Sequence, residues 1–94
     1  MFILSLTYKV PNDDVDRHLE AHVAWLKEGY AKGIFLASGR KVPRTGGLIF
    51  AKGDRADIET MARADPFTLH GVADYAITEV NINMTGEGLE SLKT

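Results

Sequence analysis

Ninety-four residues without a cysteine suit one domain and exclude a disulfide scaffold, a thiolate nucleophile and a cysteine-based zinc site. With 45% hydrophobic and 26% charged residues the composition is that of a globular chain, not a disordered one. A net charge of −2 argues against a phosphate-backbone binder, which carries a basic face.

Phe2 to Tyr8 alternates as a strand, with Phe2, Leu4, Leu6 and Tyr8 on one side and Ile3, Ser5 and Thr7 on the other. The opening MFILSLTYKV has no basic stretch before its apolar run and no small-residue cleavage site after it, so it does not read as a signal peptide. No apolar run approaches the roughly 20 residues a bilayer span needs. A soluble cytoplasmic protein is expected, and the lack of cysteine suits that reducing compartment.

VPNDD then turns the chain, with Asn12 or Asp13 available to cap a helix that runs to about Lys32 and stops at Gly33. IFLASGRKV is a second strand, PRTGG a polar turn and LIFAK a third strand, together a hairpin. GDRADIETMARAD forms a second helix with Asp54 as its cap, ending before Pro66 because the residue preceding a proline avoids helical angles. PFTLHGVA is a turn or half-helix and DYAITEVNI the last strand. Residues 1–83 form the folded domain, and residues 84–94, with two glycines and weak periodicity, an arm or partly disordered tail.

The order β-α-β-β-α-β is the ferredoxin-like arrangement, an α+β class in which both helices cover one face of a four-stranded antiparallel sheet. The strands nevertheless carry apolar residues on both sides. A soluble monomer seldom leaves such a face bare, so a homodimer with its sheets packed face to face is expected.

Two ionisable groups fall in register with the apolar rows. In the first helix Val15, Leu19, His22, Leu26 and Tyr30 share one face, which aims His22 at the sheet, while Trp25 falls off the centre of that row. In the second, Ile58, Met61 and Ala62 are continued by Asp65. A buried carboxylate needs a partner, and a histidine aimed into the same space is the one available. Asp65 would orient the imidazole and raise its pKa while burial would lower it, leaving His22 near neutrality, where a general acid or base works best. The plainer alternative is also open: His22 as a satisfied core residue, and Asp65 as a helix stop holding backbone amides.

HLEAHVAWLKEGYAKGIFLASGRK, GGLIFA and ARADPFTLHGVADYAITEV together resemble the YciI-like, or YCII-related, family over nearly the whole chain, from Met1 to about Ile82. The resemblance implies a dimeric α+β barrel of ferredoxin-like protomers, similar to muconolactone isomerase. It also implies an active-site His–Asp pair, matching His22 and Asp65, and a small-residue step matching Ala37, Ser38 and Gly39. A related member is a dehydrochlorinase of a chlorinated hydroxyquinol. Where many members have AGP this chain has SGR, so the pocket differs at Ser38 and Arg40.

The remaining candidates are weaker. Arg40, Lys41 and Arg44 gather at the hairpin tip, where Arg40 beside Gly39 could clamp a carboxylate or phenolate, or the run could be a solvated loop. Ser38 could bond a ligand but lacks the strand–turn–helix setting of a covalent nucleophile. His70 could approach Asp65 or lie in an exposed loop; a metal site from His22, Asp65 and His70 matches no familiar spacing, so none is expected. Either phenol of Tyr8 and Tyr75 could reach a pocket, though both read first as core or dimer packing residues with tethered hydroxyls.

Two functions compete. One is a cofactor-independent isomerase, lyase or dehydrohalogenase acting on a small polar or aromatic molecule, with His22 as acid/base, Asp65 orienting it, and Ser38, Gly39 and Arg40 holding substrate. The other is a non-catalytic binding or accessory module using the same pocket. A nucleic-acid partner is not expected, since the strands lack the basic and aromatic alternation of RNA-binding sheets.

Overall fold

The computed structural model describes residues 1–94. Its elements are β1 (Phe2–Tyr8), α1 (Asn12–Asp16), α2 (Leu19–Ala31), β2 (Phe35–Arg40), β3 (Gly46–Ala51), α3 (Arg55–Ala64), α4 (Pro66–Leu69) and β4 (Ala73–Glu79), followed by a 3₁₀ turn at Glu90–Leu92. The strands form one antiparallel sheet in the order β2-β3-β1-β4, the ferredoxin-like order. No helix is long and apolar enough to cross a membrane.

The alternation of β1 decides where the core lies. Leu4 pairs with Ile49 and Ile77, and Leu6 with Gly47 and Tyr75. Phe2, Leu4 and Leu6 therefore share a face, and they are buried together with Val15, Trp25, Ile58, Met61 and Phe67 from the helical side. Ile3, Leu48 and Phe50 project from the opposite face, where Phe50 remains 38% exposed.

The first helix differs from its expected form. It is two helices, broken at His18, whose φ of −111° and ψ of 4° leave the helical range. Pro11 takes the cap position of α1, ahead of Asn12 and Asp13, and no side chain caps that end. Asp54 does occupy the cap position of α3, but its carboxylate makes no capping bond. The break at His18 resets the helical phase, so Val15 does not predict which face of α2 turns inward. The buried row of α2 is His22, Trp25 and Gly29, while Tyr30 is 40% exposed. Trp25 is thus a core residue, and its indole N–H donates to the Met61 carbonyl at 3.0 Å, tying α2 to α3. Gly29 is in the row because α2 crosses β2 closely there: a Cβ would overlap the buried Phe35 ring. Gly33, at φ 72°, ends the helix where the sequence places the stop.

β2 is irregular between Phe35 and Ala37, and beyond that point Ser38 pairs with Ile49 and Arg40 with Gly47. Strand alternation then turns Ser38 and Arg40 to the helical side, and Ala37 and Gly39 to the other. β3 begins at Gly46, two residues before the expected LIFAK segment. After β4 the chain returns on itself: Thr94 N–H donates to the Ile82 carbonyl at 3.0 Å, and its hydroxyl accepts from Ile82 N–H at 2.9 Å.

Candidate active site

His22 sits on the inward row of α2, and Asp65 follows the last residue of α3. Asp65 has φ −58° and ψ 128°, the extended geometry that a following proline imposes, and this points its carboxylate back across the start of α4. Oδ1 accepts the Phe67 N–H at 2.9 Å, capping α4, and lies 2.8 Å from His22 Nδ1. The Tyr75 hydroxyl, from β4, donates to Oδ2 at 2.5 Å. Asp65 is 0% exposed, so three donors replace the water that this carboxylate has lost.

The arrangement assigns the imidazole hydrogen. A carboxylate that already accepts two other donors can only accept from His22, so Nδ1 carries the hydrogen and Nε2 of the neutral ring keeps its lone pair. Nε2 has no protein partner, and it is not among the sealed side-chain atoms left without one, which are Arg44 Nε and Thr85 Oγ1. The Phe67 ring stacks on the imidazole with centroids 3.9 Å apart and planes 3° from parallel, and Trp25 flanks it at 5.4 Å. Burial pushes the Tyr75 phenol well above its ordinary range, and the adjacent negative charge of Asp65 adds to the effect. Tyr75 is therefore a constant donor to the carboxylate.

His22 opens onto a partly open cavity of about 190 Å³ lined by α2, α4, β1, β2 and β3. For comparison, a cavity of roughly 150 Å³ holds benzene. Leu6, Leu26 and Phe67 supply apolar wall, His22, Ser38 and Arg40 the polar groups, and Gly39 and Gly47 bare backbone. Four of the five residues singled out from the sequence, His22, Ser38, Gly39 and Arg40, thus line one space. Asp65 does not line it and contacts it through His22, which does.

Other candidates sit elsewhere. Arg44 leaves the expected cationic tip to pair with Asp16 at 2.5 Å, with its guanidinium 5.9 Å from the centroid of the Tyr8 ring. That hydrogen bond holds the Asp16 carboxyl below the usual carboxylate range. Ser38, unlike these, lines the cavity, with its Oγ 2.6 Å from the Tyr30 hydroxyl. His70 is exposed, stacked on His18 with centroids 4.3 Å apart, and no group of three His, Asp or Glu is arranged to hold a metal ion.

Tyr75 is expected from the sequence as a packing residue with a tethered hydroxyl, and the tether proves to be Asp65. Its signal was strand alternation: Tyr75 lies opposite Leu6 on the face that carries the helices. The plain reading of Asp65 as a holder of backbone amides is also correct, through Phe67, and coexists with the histidine contact.

No protein with a curated description matches the chain. Among solved structures, the fold is similar to that of 5-chloro-2-hydroxyhydroquinone dehydrochlorinase from Burkholderia phenoliruptrix AC1100, in complex with 2,5-dihydroxybenzoquinone. The TM-score is 0.68 at 18% identity, over 88% of this chain and 96% of that one. The YCII-related domain pattern matches residues 1–81, and the chain belongs to the YCII-related domain family.

Proposed function

We propose that the cavity is the active site of a small cofactor-independent enzyme that moves a proton on a single-ring or enol-type molecule. His22 Nε2 takes or gives the proton, Asp65 fixes the ring and stabilises the imidazolium, and Ser38, the Gly39 backbone and Arg40 hold the substrate. The observation that carries this reading is a histidine with one nitrogen tied to a fully buried carboxylate and the other open to a ring-sized cavity. Isomerisation, proton abstraction beside a carbonyl and loss of a leaving group all use that equipment. The similar fold of a dehydrochlorinase solved with a dihydroxybenzoquinone supports ring compounds as the first to try.

The same proposal places the protein in the cytoplasm, as a homodimer joined through the face that carries Ile3, Leu48 and Phe50. The apolar character of that face supports it.

The alternative, a binding module, is favoured by the saturation of Asp65, whose three bonds tie α2, α4 and β4 together whatever the chemistry. Turnover separates the two. Halogenated hydroquinols and cyclic enones are incubated with the wild type and His22→Gln, with products followed by NMR. An enzyme gives a reaction that H22Q slows by about 10²- to 10⁴-fold. A ring compound that binds both proteins and returns unchanged supports the module.

A further inference from the structure

Arg40 differs from every other arginine in the chain. Arg17 pairs with Asp14, Arg44 with Asp16, and Arg55 with Glu59 and Glu79, while Arg63 donates to the Thr60 hydroxyl. Arg40 has no acceptor, although it lines the cavity. Asp16 is near enough for Arg40 to help lower its pKa, but its carboxylate is committed to Arg44. The residue opposite Arg40 on β3 is Gly47, so no side chain covers it from the neighbouring strand.

The lining as a whole has the same sign. It contains no aspartate or glutamate, Arg40 is its only permanent charge, and His22 becomes a second cation when protonated. Arg40 is exposed where the cavity opens to solvent, so its unused donors are free to meet a ligand as it enters. A planar guanidinium with unused donors suits a carboxylate or another paired-oxygen anion.

We infer that the cavity selects small planar anions, molecules of one ring that carry a carboxylate or an ionised enol, with Arg40 as the residue that recognises the charge. This rests on the proposed acid/base use of the same cavity but concerns which molecules enter it. Neutral rings of equal size gain no ion pair with the guanidinium and are expected to bind more weakly.

The test compares benzoate with benzamide, which share shape and differ in charge, by NMR titration of the intact protein. The wild type is expected to bind benzoate about tenfold or more tightly than benzamide, with the preference shrinking at high salt. Arg40→Gln should erase the preference, whereas Arg63→Gln, the same loss of charge outside the cavity, should keep it. His22→Gln should also keep it, so a failure of proton-transfer chemistry would leave this inference standing. Benzamide binding as well as benzoate, a preference that survives in R40Q, or no benzoate binding at millimolar concentration would each overturn it.

Discussion

The proposed site centres on a histidine whose two nitrogens lie in different surroundings. Nδ1 is held at 2.8 Å by Asp65 and Nε2 faces the cavity, and that division depends on Asp65 Oδ1 being an acceptor. Asp65→Asn keeps the size, and its single oxygen stays where Phe67 N–H and His22 Nδ1 meet, with the NH2 group facing the Tyr75 hydroxyl, which can rotate to accept. The expected result is an unchanged Nδ1–H tautomer in the imidazole ¹⁵N shifts and slower turnover, because the negative charge that stabilises an imidazolium is gone. Asp65→Ala leaves buried donors unpaired and is expected to cost about 3 kcal/mol or more in urea unfolding. Tyr75 makes a pH prediction with a definite sign. Its phenol keeps its proton in the folded protein, while the unfolded chain releases it above about pH 10, so the unfolded state binds fewer protons there and stability falls as pH rises. Its contribution to that fall is about 1.4 kcal/mol per pH unit. Tyr75→Phe should remove it from the pH dependence of the unfolding free energy.

At the scale of elements, the strands and the second long helix were legible because alternation and the Asp-Pro stop are local signals. The face of α2 was not, because it depends on a break at His18 that no proline or glycine marks. Carrying the phase of Val15 through that break put Leu26 and Tyr30 at the centre of the row and Trp25 at its edge. Gly29 was invisible for a different reason: its place in the row comes from the Phe35 ring beside it, not from hydrophobicity. His22 could be read because it belongs to both the expected and the observed row of α2, and Asp65 because it continues the row of α3, whereas the cavity needs β2 and β3 as well. Gly29→Ala adds a methyl group that the buried Phe35 cannot avoid. It is expected to destabilise the protein by about 1–3 kcal/mol in spite of the better helix propensity of alanine.

For the whole molecule, the ferredoxin-like order followed from the succession of elements, but which side of the sheet stays open to a partner is a three-dimensional fact. One face of β1 lies under the helices, and the other presents Ile3 beside Phe50. Phe50→Glu places a charge on that face without touching the core. Light scattering is expected to give twice the chain mass for the wild type and the single chain mass for F50E, with unchanged circular dichroism. A monomeric wild type would remove the dimer from the account and leave the cavity, which lies on the helical side, as it is.

The most direct test of the central claim is the ¹⁵N spectrum of His22 at a pH where the ring is neutral, recorded without ligand and with 2,5-dihydroxybenzoquinone. The account predicts the Nδ1–H tautomer, with Nε2 carrying the lone pair and shifting when the ring compound enters the cavity. An Nε2–H tautomer, or an Nε2 signal that ignores a bound ligand, would contradict it and leave His22 as a packing residue of the core.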